Sequence, residues 1–126
     1  MTINNLFDLS GKTALITGGS SGLGEAISTA LGLSGVKIAI AARREEQLNA
    51  AIARLSDHGI NATSFVANLS ELEQSTDLAV RVLKHFDKVD ILVNAAGITD
   101  RGNILDTSPD LFDKLFAVNV RAPFFL

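Results

Sequence analysis

The chain has no cysteine, no tryptophan and no tyrosine, and only two prolines in 126 residues. Without cysteine there is no disulfide, no thiolate-bound zinc and no thiol nucleophile. Without tyrosine there is no phenol to act as a general acid–base. No apolar run approaches the roughly 20 residues of a membrane-spanning helix. Residues 1–12 lack the basic-then-apolar order of a secretory signal, so a soluble cytoplasmic protein is expected. The net charge is −3 and no basic cluster exceeds Arg43-Arg44. A nucleic-acid partner calls for a basic face and is set aside. His58 and His85 are far apart and fall at helix ends, where a positive charge suits the dipole. No metal site is expected.

Apolar residues make up 47% of the chain and charged residues 20%, the balance of an ordinary globular domain. Short apolar runs over 12–17, 36–41, 62–67 and 89–94 predict strands. Between them lie helical stretches. The first, from Gly22, places Leu23, Ala26, Ile27, Ala30 and Leu31 on one stripe and stops at Gly35. The second covers 44–58, with Leu48, Ala51, Ile52 and Leu55 inward. Ser70-Glu71-Leu72-Glu73 has the form of a capping box, and its helix carries Leu72, Ala79, Val82, Leu83 and Phe86 on one face. Thr107-Ser108-Pro109 opens a last helix that runs past Val120, with proline where its missing N–H costs nothing. Near-continuous apolar strands alternating with amphipathic helices predict a parallel sheet with helices on both faces. One α/β domain over 1–126 is expected.

The chemistry begins at Thr17-Gly18-Gly19-Ser20-Ser21-Gly22-Leu23-Gly24. These glycines lie between a buried strand and the first turn of a helix. A helix start offers free N–H groups and about half a positive charge, and glycine lets backbone approach an anion closely. A bare strand-to-helix loop has the same composition, but the strand–turn–helix context favours pyrophosphate binding. A P-loop would end in Gly-Lys-Ser/Thr. Here Gly24 is followed by Glu25 and Ala26, and an acid there would repel a triphosphate.

The turn resembles the Thr-Gly-x-x-x-Gly-x-Gly signature of the short-chain dehydrogenase/reductase family. Asn94-Ala95-Ala96-Gly97 is similar to that family's Asn-Asn/Ala-Ala-Gly motif, and Phe116-Ala117-Val118-Asn119-Val120 is similar to the segment bearing its active-site asparagine. The resemblance covers about residues 9–126. It implies a Rossmann-type doubly wound sheet in three αβα layers, here with about four strands. It also implies an oxidoreductase moving hydride between a nicotinamide dinucleotide and an alcohol or carbonyl substrate. The implied cofactor contacts are Gly18, Ser20, Ser21, Gly22, Leu23 and Gly24 at the turn, then Arg43 and Arg44, Asn68 and Leu69, Asn94 to Gly97, and Val118. Asn119 is the implied catalytic residue.

In dinucleotide folds an acid after the second strand binds the ribose of NAD, whereas an arginine accommodates the 2′-phosphate of NADP. Ala41-Ala42 is followed at once by Arg43-Arg44. This points to NADP(H), with Arg43 as the main contact and NAD as the alternative. Asn68 stands where the family has an aspartate that accepts from the adenine amino group; its side-chain oxygen is expected to do the same, more weakly.

The resemblance also places the acid–base tyrosine, its lysine and the substrate-holding serine in a segment this chain does not contain. The expectation is therefore the N-terminal half of a longer reductase, inactive alone, whether shortened in the gene, in the laboratory or in the record. The fourth strand would be an open edge, and Phe112, Phe116, Phe124 and Phe125 would lack a cover. A homo-oligomer is expected of the full-length form. The alternative reading is a non-catalytic module that binds a dinucleotide or pairs with a relative. The substrate is not legible.

Overall fold

The structure, a computed structural model, describes residues 3–126. Met1 and Thr2, the start of the segment read above for a secretory signal, lie outside the described residues. A short helix α1 (Ile3–Leu6) precedes β1 (Thr13–Thr17), α2 (Gly22–Leu33), β2 (Lys37–Ala42), α3 (Glu45–Asp57), β3 (Ala62–Val66), α4 (Leu72–Phe86) and β4 (Ile91–Asn94). A loop then leads to α5 (Pro109–Phe116), a π-helical turn over Ala117–Arg121 and a last short helix α6 (Ala122–Phe125).

The four strands are parallel, in the order β3-β2-β1-β4. Strand alternation sorts the core into two layers. Ala14, Ile16, Ile38 and Ile40 face one side and pack on Leu48, Ala51 and Leu55 of α3. Leu15, Ala39, Ala41 and Phe65 face the other and pack on Leu78 and Val82 of α4 and Ala122 of α6. This is the three-layer αβα, Rossmann-type arrangement expected from the sequence. Among the described residues, β4 is an edge of the sheet, and Phe112, Phe116, Phe124 and Phe125 are exposed, as the sequence predicts.

Three local expectations fail. The buried face of α2 is Gly24 and Ser28, with Ile27 and Leu31 half-buried, whereas Leu23 is 74% exposed and Ala26 and Ala30 are exposed too. Close approach to the turn selects the smallest residues, so the greasier stripe is rotated away from it. In α4 the inward line is Ser75, Leu78 and Val82; Leu72 and Leu83 lie outside it. The capping box does not form: Glu71 is the N-cap without a side-chain bond, and the Ser70 hydroxyl donates to Asn68 instead. Ser108 does cap α5, accepting from the Leu111 N–H with Pro109 in the first turn.

Candidate functional site

The strand order places β4 beside β1, where the direction of chain progression reverses. Crevices outside the carboxyl ends of strands at such a switch point are where ligands bind in open α/β sheets. A cavity of about 440 Å³ lies there, within the ~300–1,000 Å³ common for small-molecule sites. Its walls are Gly18 and Ser20 to Gly24 after β1, Ala41 to Arg44 with Gln47 after β2, Ala67 to Leu69 after β3, Ala95 to Ile98 after β4, and Lys114 and Val118. Every cofactor residue expected from the sequence is in this wall except Asn94. Asn94 still pairs with Thr17 within the sheet, and strand alternation puts it on the exposed Leu92 face, away from Val93 and Ala95.

The turn is built from backbone, and the geometry explains its glycines. Gly18 has φ +66°, and a Cβ there would lie 2.7 Å from the Ala96 nitrogen. A Cβ on Gly24 would lie 2.1 Å from the Gly18 carbonyl oxygen, so the first turn of α2 sits directly on the glycine turn. The space where a Gly22 Cβ would point is open. A phosphate group therefore fits against the start of α2, where the helix has free N–H groups. Thr17 fixes the turn from below: its buried hydroxyl donates to the Val93 carbonyl (3.4 Å) and accepts from the Ala96 N–H (3.3 Å). The Gly18 N–H donates to the Ala41 carbonyl at 2.9 Å.

Arg43 and Arg44 lie at the rim beside the end of β2, both exposed. Among the described residues neither forms an ion pair, and neither does Lys114 across the wall. Three cations thus face the cavity in a chain of net charge −3. Lys114 and Gln47 were missed from the sequence because each lies in a helix interior with nothing in its neighbours to distinguish it.

Asn68 corrects its own reading. Its side-chain oxygen accepts both the Ser70 N–H (3.1 Å) and the Ser70 hydroxyl (2.7 Å), while its backbone N–H donates to Gln74 Oε1 (2.8 Å). The Ser70 N–H can only donate, so the amide orientation is fixed and both oxygen lone pairs are engaged. The group left free is the amide NH₂, a donor, where the sequence led one to expect an acceptor.

Asn119 does not line the cavity. Its oxygen accepts the Ile98 N–H (2.9 Å) and its NH₂ donates to the Ile98 carbonyl (2.7 Å). Both ends of the amide hold one residue of the loop after β4. The π-helical turn around Asn119 is a feature often found at functional sites, and here it carries the residue that clamps the loop behind the cavity wall. Asp100 holds its own loop, accepting from the Gly102 N–H and the Thr107 hydroxyl.

Arg54 was not legible. From α3 it reaches both carboxylate oxygens of Glu25 on α2 (2.5 and 3.1 Å) and the Ser20 carbonyl in the turn (3.3 Å). The partners lie 29 and 34 residues away, and only the packing of α2 beside α3 brings them together. Farther from the cavity, Asp90 accepts the Thr13 N–H (2.8 Å) and pairs with Lys88 (3.2 Å). That N–H, with Lys88 secondary, holds its carboxyl below the usual aspartate range.

Comparison with known proteins agrees with this geometry. The family described as short chain dehydrogenase matches residues 12–126. Versicolorin reductase stcU of Emericella nidulans is 35% identical over 127 residues, covering the whole of this chain and 48% of its own length. A metagenomic short-chain oxidoreductase crystallised with NADP is 36% identical with a TM-score of 0.89, over 94% of this chain and 54% of its own. A short chain dehydrogenase from Burkholderia cenocepacia J2315, also in complex with NADP, is 36% identical with a TM-score of 0.87, over 94% of this chain and 49% of its own. The chain spans about half the length of the relatives it matches. On the match over residues 12–126, on the sheet order and on the turn after β1, the chain belongs to the short-chain dehydrogenase/reductase family, whose members are oxidoreductases.

Proposed function

We propose that this chain is the cofactor-binding half of an NADP(H)-dependent oxidoreductase acting on an alcohol or carbonyl substrate, with residues 1–126 as a single dinucleotide-binding domain. The observation that carries the reading is the pairing of a glycine turn open at Gly22 with Arg43 and Arg44 unpaired at the end of a strand that offers no acid. The NADP complexes of two structural neighbours support it. Gly18 and Ser20 to Gly24 would hold the pyrophosphate, Arg43 the 2′-phosphate with Arg44 beside it, Asn68 and Leu69 the base. Ala95 to Gly97 and Val118 would wall the ribose side. Bound nicotinamide supplies hydride exchange with the carbon bearing the substrate oxygen.

Asn119 would act by fixing the Gly97-Ile98 backbone, a positioning role. The proton chemistry requires an acid–base group that a chain without tyrosine does not offer in the family's manner. Exposed Phe112, Phe116 and Phe124 support a cover from further chain or from a second copy.

Titration of the purified protein with NADPH and NADH, followed by nicotinamide fluorescence, tests the proposal. Saturable binding is expected, with NADPH tighter by about tenfold or more, the contribution of a charge-assisted hydrogen bond. Absence of binding to both nucleotides would overturn it.

A further inference from the structure

We infer that Arg54 is a positioning residue for the phosphate turn, and that its pairing with Glu25 is what makes an acidic first turn compatible with a bound pyrophosphate; the inference rests on the dinucleotide reading above. Two observations meet here. Glu25 lies one residue past Gly24, in the first turn of α2, where a carboxylate suits the helix dipole but competes with any other anion for the same field. Its two oxygens are both taken by Arg54, and its side chain is only 21% exposed. The pair is neutral as a unit, so the partial positive charge of the helix start is left to a ligand.

The second observation concerns the peptide between Ser20 and Ser21. Arg54 draws the Ser20 carbonyl toward α3. In a trans peptide the C=O and the following N–H point in opposite directions, so this contact turns the Ser21 N–H away from α3. Ser21 lines the cavity, and among the described residues its N–H has no backbone acceptor. Arg54 thus sets the orientation of a donor at the phosphate position without touching the ligand. Lysine cannot reproduce the arrangement, because it lacks the planar fork that serves a carboxylate and a carbonyl together.

The test compares two ligands that differ at the pyrophosphate. Adenosine 2′-monophosphate carries the 2′-phosphate and no pyrophosphate; NADPH carries both. R54M is expected to weaken NADPH binding about tenfold, the scale of a charge-assisted contact, and to leave the monophosphate within about twofold. E25Q in the R54M background removes the unpaired acid and is expected to recover part of the NADPH loss. Arg54 is 51% exposed at its side chain, so the variant should fold, which a thermal melt verifies. Equal weakening of both ligands, or no change in either, would overturn the inference while leaving dinucleotide binding intact. If the unmodified protein binds no NADPH, the dinucleotide reading fails first and the inference with it.

Discussion

The turn after β1 and the segment from Ile98 to Asn119 both stand beside the cavity, yet they are built by opposite means. The turn is shaped by backbone: glycines at Gly18 and Gly24 leave no room for a Cβ, and the start of α2, where a helix has free N–H groups, lines the cavity. The second segment is shaped by one side chain, the Asn119 amide, whose two ends grip Ile98 across 21 residues. The first leaves its Ser21 N–H without a backbone acceptor at the cavity. The second uses its polar groups up internally, so that a motif residue shapes the cavity wall without lining it. Asn68 lies between the two cases, with its oxygen used for the loop and its NH₂ left for the cavity.

Substitutions at the two regions should therefore fail differently. Gly24→Ala should have the largest effect. Its Cβ would sit 2.1 Å from the Gly18 carbonyl oxygen, and backbone cannot yield as a side-chain tip can. Overpacking of this kind costs about 1–3 kcal/mol, and the turn should lose NADPH affinity by roughly a hundredfold, measured by fluorescence titration. If G24A binds normally, the turn is not held by close approach. Asn119→Ala should instead lower stability. Two hydrogen bonds at roughly 1 kcal/mol each predict a loss of about 2 kcal/mol in urea denaturation, with the NADPH affinity changed less than in G24A. An affinity loss without a stability loss would mean that Asn119 faces the ligand after all.

Asn68→Asp sharpens the intermediate case. An aspartate keeps the bonds from Ser70 with one oxygen and offers the second as an acceptor where the asparagine offers a donor. Affinity for adenine dinucleotides should rise by about three- to tenfold, since charge-assisted bonds are roughly twice as strong as neutral ones; an unchanged affinity would place the adenine amino group elsewhere. The smallest effect is expected at Asp90, which anchors the start of β4 to Thr13. Its carboxyl is held low by that N–H, so its contribution is present at neutral pH and disappears as pH falls through the depressed native value. The melting temperatures of the parent and D90N should differ at pH 7 and converge below about pH 4, near the unfolded aspartate pKa. A constant gap would show that the charge is irrelevant there.

The sheet was legible because apolar strands and amphipathic helices alternate along the chain, and Leu48, Ala51 and Leu55 of α3 were correctly read as inward. The cavity was legible because its wall is made at strand ends, where short motifs mark the chain. The buried face of α2 was not, because Gly24 and Ser28 carry no hydrophobic signal, and Gly24 is buried by its contact with Gly18 of the turn. The roles of Arg54 and Asn119 were not legible either. Each acts on a partner 21 to 34 residues away, and only the packed helices decide which carbonyl or N–H comes within reach.

If Arg43 reads a 2′-phosphate at the rim of this cavity, the ratio of NADPH to NADH affinity in Arg43→Ala will show it. Loss of a charge-assisted contact of about 1.5–3 kcal/mol predicts that NADPH weakens by roughly 10- to 150-fold while NADH is unchanged, collapsing the preference. Equal weakening of both nucleotides, or an undiminished preference for NADPH, would contradict it.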